Sequence, residues 1–236
     1  MSELFSIQLQ NRQQQGRDGV WLDLPTTTEQ VQAALRQIGI SSDNPQGLFI
    51  SGYFAEEEKR FAIPYNMVMA SSVDELNFLA ARLETLSAGE RAELNAALQA
   101  PQSELSSIGR IIDFPENVDY YVHLPDVRGP AQLGDYYLNR SGMVDMPEEW
   151  KGGIDTAQFG RYVAQQEQGA FTQYGYLVKS GDEWQKVHEG QPVPEEYRVL
   201  SFPAPEILRD AANIPPPVQT ETEPQKVIPI ILNGKD

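Results

Sequence analysis

The sequence predicts an α+β protein made of successive small segments, and three observations support that fold class. Strand-like segments, the first of them with alternating apolar and polar residues, open the chain and return before residue 190. Between them, leucines recur at helical spacing after two serine capping signatures. Nine of the 17 prolines then fall in residues 191–236, which predicts a semi-rigid extended linker or tail.

Residues 1–70 are predicted to form an N-terminal α+β domain, a small sheet that carries one helix. Four strand candidates are bounded by turn residues: Leu4–Leu9, Gly19–Leu24, Leu48–Phe54 and Phe61–Ile63. Thr27 and Gln30 form a capping-box signature before a helix that Gly39 ends. A helix on one face of a small sheet buries the apolar sides of both elements.

Residues 71–115 are predicted to form a helical bundle. Ser72 with Glu75, and Ser87 with Glu90, are capping boxes that begin two helices. A third helix is predicted over Ser103–Ile112. The loops between these helices have only a few residues, which is typical of neighbouring antiparallel helices.

Residues 116–190 are predicted to form a C-terminal α+β domain. Asn117–His123 fits either a strand or a short helix, and Pro130–Asn139 and Asp155–Gln166 have helical spacing. Phe171–Val178 and Glu183–His188 flank Ser180-Gly181-Asp182, which predicts a hairpin.

The chain is strongly acidic, and this charge is unevenly distributed. Asp and Glu number 34 against 18 Lys and Arg, so the formal net charge is −16. Residues 54–127 hold 13 acidic and 5 basic residues, so half of the net charge lies in about a third of the chain. An anionic surface repels phosphate backbones, so we expect no direct binding to nucleic acid.

The composition also excludes several kinds of site. The chain has no cysteine and only two histidines, which excludes thiolate and multi-histidine metal sites. It has no glycine-rich phosphate loop or nucleophile-elbow motif, so we expect no enzyme, cofactor or metal. Residues 1–10 lack a signal-peptide pattern, and no apolar run reaches the ~20 residues of a membrane span. We therefore expect a cytoplasmic protein that does not contact the membrane.

The acidic residues of the bundle admit two interpretations. Taken one at a time, they cap helices and keep the surface soluble, because Asp74, Glu75 and Glu84 lie off the apolar stripe. Taken together, carboxylates spread along a rigid body could occupy a DNA-binding groove, because arginine takes a carboxylate bidentately as it takes a phosphate.

Several motifs, in order, resemble the ArdA antirestriction family over about residues 3–180. In the first half these are residues 19–25, a helix that ends at Ile38-Gly39, and residues 74–80 with Leu83 and Leu86. In the second half they are Tyr120-Tyr121, residues 133–137, Gly142, Pro147, Ile154-Asp155, Phe159-Gly160-Arg161 and residues 169–175.

The resemblance implies a function, a shape and a set of binding residues. ArdA proteins come from mobile elements and bind the methyltransferase core of type I restriction–modification enzymes stoichiometrically, without catalysis. They are elongated dimers of three small domains in a line that mimic the charge and shape of duplex DNA. In this sequence the phosphate-mimicking acids would be Asp74, Glu75, Glu84, Glu90, Glu93, Glu104, Asp113, Glu116, Asp119, Asp126, Asp135, Asp145, Glu148, Glu149 and Asp155.

The same resemblance implies a homodimer formed through the third domain, in the cytoplasm of the bacterial host cell. Tyr136, Tyr137 and Trp150 are the residues expected on the dimer side. The chain departs from the family pattern in an extended loop around Asp43–Gln46 and in its tail beyond about residue 191. The apolar segment Val227–Leu232 leaves an alternative function open, a protein-interaction module of a larger conjugative-element polypeptide without antirestriction activity.

Overall fold

The computed structural model describes residues 4–14, 18–41, 47–56 and 60–200. The predicted extended loop (43–46), and the tail from residue 201 onward with its segment 227–232, lie outside the described residues. That segment was the basis for the alternative function, an interaction module of a larger polypeptide. The described residues all belong to one unit by their contacts.

The first segment folds as a three-stranded antiparallel sheet covered by one helix. Strands β1 (Phe5–Asn11), β2 (Val20–Leu24) and β3 (Leu48–Phe54) lie in the order β2-β1-β3. Alternate residues of β1 point inward and are buried, and helix α1 (Thr28–Gln37) buries Val31 and Leu35 in the same core. The three strand predictions, the Thr27–Gln30 capping box and the helix-ending Gly39, with φ of +67°, are confirmed.

The predicted fourth strand, Phe61–Ile63, is wrong. Phe61 and Ile63 are buried as a strand would bury them, but the backbone between them pairs with a side chain. The Ala62 N–H donates to Asn95 Oδ1 (2.7 Å), and Asn95 Nδ2 donates to the carbonyl of Arg60 (3.2 Å). An asparagine therefore satisfies the polar groups that a neighbouring strand would have satisfied.

The second segment is helical, as predicted, and is preceded by α2 (Tyr65–Ala70), a helix at the end of the first segment that was not predicted. It contains α3 (Val73–Glu84), α4 (Ala88–Gln99) and α5 (Ile108–Ile112). The capping boxes that begin α3 and α4 are confirmed. Helix α5 begins later than the predicted start at Ser103, because the Ser107 side chain accepts from the Arg110 N–H and caps it there.

The third segment contains three helices and a second sheet. A 3₁₀ turn at Val118–Tyr120 leads directly into strand β4 (Tyr121–Leu124), so both alternatives for Asn117–His123 occur in succession. The predicted helices are α6 (Pro130–Asn139) and α8 (Thr156–Glu167), with the short α7 (Glu148–Lys151) between them.

The predicted hairpin around residues 180–182 is wrong. Strands β5 (Ala170–Thr172) and β6 (Gly175–Lys179) already form a hairpin within the first predicted strand, turning at residues 173–174. Strand β6 then pairs with β4, which gives the order β4-β6-β5. Because β6 already pairs with β4 on one side and β5 on the other, it has no free edge for Glu183–His188. That segment is not a strand.

Residues 183–200, here called the strap, instead lie across the helical segment. Asn117 exchanges two hydrogen bonds with the backbone of Gln185, at 2.7 and 2.9 Å. Asn77 of α3 donates to the carbonyl of Tyr197 (2.9 Å), and the buried Val199 joins the main core. The beginning of the predicted proline-rich linker is therefore packed on the folded chain.

The main hydrophobic core runs without a break across the predicted domain boundary at residue 70. It contains Leu24 and Leu35 from the first segment and Leu76, Leu83 and Phe114 from the second. A smaller core, formed by Val127, Leu133, Ala164 and Tyr176, lies between α6, α8 and the second sheet. The division into three domains remains a prediction. Within the described ranges no helix is long and apolar enough to cross a bilayer.

Candidate functional site

Two of the acids expected to mimic phosphates bind the strap. Asp113 is fully buried and accepts the N–H groups of Val187 (3.2 Å), His188 (2.6 Å) and Glu189 (3.2 Å). Asp74, at the start of α3, accepts the N–H groups of Val199 and Leu200 through one oxygen, at 2.8 and 2.9 Å. A carboxylate with no exposed surface cannot contact a partner, so Asp113 is left out of the candidate surface.

Four further acids pair with basic residues of the chain itself. The largest such group forms around Glu104, which accepts from Arg110 (2.5 Å) and Lys179 (2.7 Å) and from the Tyr120 hydroxyl (3.2 Å). These contacts, the Lys179 bond first, lower the pKa of Glu104. The other three pairs are Glu116 with Arg82, Asp135 with Arg140 and Glu148 with Lys151.

Three acids lie in first turns or caps and combine a structural role with an accessible charge. Glu75 and Glu90 accept the N–H groups of Ser72 (2.9 Å) and Ser87 (2.7 Å), and Asp155 accepts from the Gln158 N–H (3.0 Å) at the start of α8. Hydrogen bonds with Ser87 lower the pKa of Glu90, which keeps it ionised. A carboxylate that accepts one N–H still has lone pairs for a partner.

The remaining acids outside α4 are partly or fully exposed to solvent. Glu84, in the last turn of α3, is partly exposed. Four more are exposed and make no hydrogen bond or ion pair within the part of the chain that the structure describes: Asp119, Asp126, Asp145 and Glu149.

The structure brings three of the predicted acids together, on α4 and the 3₁₀ turn before β4. Glu93 lies within electrostatic reach of Glu90, one helical turn earlier, and of Asp119, which is distant in sequence. Among the described residues, Glu93 Oε1 is buried without a hydrogen-bond partner. Burial, and then the negative charges of Glu90 and Asp119, raise the pKa of Glu93 to about 8. Glu93 is therefore mostly protonated at neutral pH, and Glu90 and Asp119 carry the charge of this cluster.

Glu93→Gln is expected to remove a pH-dependent loss of stability. Because the folded state binds this proton more tightly than the unfolded chain, its contribution is complete below the ordinary pKa of 4.5 and is lost as the pH rises through about 8. With a discount for solvent screening, we expect the variant to be more stable than wild type by about 1 to 2 kcal/mol at pH 9 and equal to it at pH 4. Thermal melts across this range measure the difference.

Glu149→Gln is the matched control, because Glu149 is exposed and lies outside the cluster. It is expected to follow the wild-type pH dependence. An E93Q variant with the wild-type pH profile would contradict the assignment of Glu93 as the titrating group.

A mixed cluster near the strap was not predicted from the sequence. Asp113, Glu116 and His188 each offer a potential metal-ligand atom, and these atoms lie within 4.8 Å of one another. The protein's own donors already occupy both acids, since Asp113 accepts three N–H groups and Glu116 pairs with Arg82. The His188 ring packs edge-on against Phe78, with centroids 5.1 Å apart. This cluster is explained by its role in fixing the strap.

The residues expected on the dimer side differ in exposure. Tyr136 and Tyr137 lie against the smaller core, and the Tyr137 hydroxyl donates to Glu167. The Tyr176 hydroxyl donates to the other oxygen of Glu167 (3.0 Å), and burial followed by this carboxylate raises the pKa of both tyrosines. Trp150, in α7, is 69% exposed. Glu167 was not predicted from the sequence, because no local pattern indicates that the hydroxyls of Tyr137 and Tyr176 both donate to it.

One cavity of about 380 Å³ lies between the ends of α4 and α8 and the second sheet. Its lining is mostly small and apolar, with Ala100, Pro101 and Leu177 beside Tyr121. Glu167 is the acid in this lining, and both of its oxygens accept from tyrosine hydroxyls. The lining contains no pair of carboxylates in the arrangement that acid–base catalysis needs.

A family model of antirestriction proteins, ArdA, matches residues 15–178, which is well over half of the chain. The chain belongs to the ArdA antirestriction family. The matched range includes the first sheet from β2 onward, all eight helices described above and nearly all of the second sheet. The strap lies beyond the ArdA match, although it binds Asp74 and Asp113 within it. A comparison with curated proteins found no match.

Proposed function

We propose that this ArdA chain inhibits type I restriction–modification enzymes by occupying the DNA-binding groove of their methyltransferase core as an anionic mimic of duplex DNA. Family membership supports the antirestriction role. The observation that carries the mechanism is the convergence of acids on α4 and the 3₁₀ turn before β4, within residues 54–127, whose net charge is −8. Binding is stoichiometric and involves no catalytic step or cofactor.

The proposed surface consists of the predicted acids other than Asp113. Its most accessible members are the four exposed acids without an internal partner, together with the exposed Glu75 and Asp155, while Glu84 and Glu90 are partly exposed. The acids paired with Arg or Lys contribute less in the free protein. A partner's arginine can take them over only by displacing an internal bond, such as that between Glu148 and Lys151.

The charge distribution suits a partner that normally binds phosphates. Duplex DNA presents one negative charge per ~1.7 Å of axis, and DNA-binding proteins line their grooves with Lys and Arg. Arginine binds carboxylate and phosphate in the same bidentate geometry, so exposed Asp and Glu side chains can replace phosphates at such a groove. Long-range attraction between the two surfaces speeds their encounter and is screened by salt.

We also propose that the protein forms a homodimer through the third segment. Trp150 is the best placed of the three expected contacts, because most of its side chain is exposed while Tyr137 is held by Glu167. Large exposed aromatic side chains are typical anchors of protein interfaces.

The test is a binding assay with a type I methyltransferase core in the presence of competing duplex DNA, over a range of salt concentrations. The variants are Asp119→Lys and Asp126→Lys, because neither side chain has an internal partner whose loss would disturb the fold. We expect each reversal to slow association about tenfold at low salt and to reduce the dependence of affinity on salt. Wild-type protein should displace the DNA.

Glu196→Lys is the matched control, with the same change of charge at an exposed residue of the strap outside the proposed surface. It should bind within about twofold of wild type, since a single distant charge adds little to the encounter at moderate salt. A wild-type affinity that does not change with salt would overturn mimicry, and no binding at all would overturn the proposed target.

A further inference from the structure

The outer face of the first sheet exposes aromatic side chains that no described element covers. The buried apolar residues Phe5, Ile7 and Leu9 of β1 face the core, so the alternate residues Ser6, Gln8 and Gln10 point to the other face. Strand register places Trp21 opposite Gln8, Phe54 opposite Ser6 and Phe49 opposite Gln10, so these aromatic residues share the outer face. Trp21 is 50% and Phe54 53% exposed, which is unusual for side chains of this size.

The indole of Trp21 lies across the sheet in a defined position. Trp21 is on β2, but its ring crosses over β1 and reaches β3, where a Cβ atom added to Gly52 would lie 3.0 Å from the indole. The ring ends edge-on to Phe54, with centroids 6.4 Å apart. Glycine at position 52 makes room for the indole, which keeps one face against the sheet and the other toward solvent.

Polar groups surround these rings. Asp23 lies on the same face, is exposed, and accepts from the Ser6 hydroxyl (2.9 Å), while Gln8 and Gln10 line the central strand. Tyr65, 55% exposed, lies beside β3 and donates to the carbonyl of Ser51 (2.9 Å). These groups keep hydrogen-bonding capacity beyond the bonds they make within the chain, and a purely apolar partner would cover that capacity without using it. The face therefore fits a partner that is itself polar or charged.

The charge of the face and of the chain selects a cationic partner. Besides Asp23, Glu56 is exposed just beyond Phe54, and the net charge of the whole chain is −16. The face already holds one arginine by stacking, because the Arg12 guanidinium lies 5.2 Å from the centroid of Phe49. Arginine is the side chain that stacks on an aromatic face and bonds a neighbouring carboxylate at the same time.

We propose that the outer face of the first sheet, with Trp21 and Phe54 at its centre, is a second docking surface that takes arginine side chains of the same DNA-binding partner. The proposal rests on the proposed function, because the partner it names is the methyltransferase core. Here the arginine stacks on the indole and its guanidinium bonds to Asp23. The acids of the helical segment attract the partner, and the aromatic face holds it after contact.

This division of roles makes the two surfaces separable by kinetics. Long-range charge acts mainly on the association rate and its salt dependence, whereas stacking acts at short range and slows dissociation. Trp21→Ala and Phe54→Ala are each expected to raise the dissociation rate from the methyltransferase core about tenfold. Their association rates and salt dependence should remain those of wild type, and Trp21→Phe should recover part of the loss.

Tyr162→Ala is the matched control, because Tyr162 is an equally exposed aromatic residue of α8 outside this face. It should leave dissociation unchanged. If Trp21→Ala does not fold, Phe54→Ala and Trp21→Phe provide the same test. A second measurement, the indole N–H resonance of Trp21, should shift when the full-length protein binds the methyltransferase core.

Four outcomes decide the proposal. Faster dissociation of both alanine variants at wild-type association rates supports it. Wild-type dissociation in both, while Asp119→Lys still slows association, overturns the second surface and leaves the proposed function standing. Absence of binding by wild type overturns the proposed function and this surface with it. A change of oligomeric mass on Trp21→Ala assigns the face to a second copy of the chain and overturns the arginine-bearing partner.

Discussion

Replacement of Asp113 by alanine is expected to lower the free energy of unfolding by about 3 to 5 kcal/mol. The carboxylate is fully buried and accepts three consecutive N–H groups of the strap. Alanine leaves those donors without partners and removes the main link between the end of α5 and residues 187–189. Urea denaturation measures the loss, and the melting temperature should fall by roughly 10 °C.

The matched control is Asp119→Ala, an exposed aspartate a few residues away with no internal partner. It should change stability by no more than about 0.5 kcal/mol. Asp113→Asn keeps one acceptor oxygen and is expected to lie between the two. An Asp113→Ala protein that unfolds at the wild-type urea concentration would contradict the role assigned to this carboxylate. Limited proteolysis of the variant should cut first within the strap.

Gly160→Ala is expected to separate α6 from α8 and to lower the free energy of unfolding by about 2 to 4 kcal/mol. A Cβ atom at this position would lie 1.8 Å from the carbonyl oxygen of Pro130 and 2.7 Å from the backbone nitrogen of Gly134. Both are main-chain atoms of α6, so the helix as a whole must move. Alanine also favours helix by about 1 kcal/mol, which offsets only part of the loss.

Gly89→Ala is the matched control, since it makes the same substitution in another helix. The nearest atom to its added Cβ would be Ser87 Oγ at 4.0 Å, so the space is open. This variant is expected to match or exceed wild-type stability in calorimetry, while Gly160→Ala melts several degrees lower. A Gly160→Ala protein as stable as wild type would show that the two helices can move apart without loss.

The accuracy of the sequence predictions followed the range of the interactions involved. The starts of α1, α3 and α4 were predicted correctly, because a capping box joins residues only three positions apart. Strands β1, β2 and β3 were predicted because the alternation in β1 and the turn residues that bound the strands are local signals. The Phe61–Ile63 strand failed because its backbone partner, Asn95, lies far along the chain.

The same limit applies to the candidate site. The sequence identified an excess of acids and the segment that holds half of their net charge. It could not distinguish Asp113, which is buried beneath the strap, from Asp119, which is exposed, because no local pattern indicates which carboxylate a distant segment will cover. Nor could it show that Trp21 lies over Gly52, since that contact requires two strands brought together by a third.

The sequence by itself therefore determined the α+β class, the starts of α1, α3 and α4, the anionic character and the resemblance to antirestriction proteins. Each depends on composition, on order, or on residues a few positions apart. The tertiary structure alone decided which acids carry accessible charge, how the strap is held, and which aromatic residues share one face. Those properties depend on burial and on hydrogen bonds between residues dozens of positions apart, and they exist only once the chain has packed.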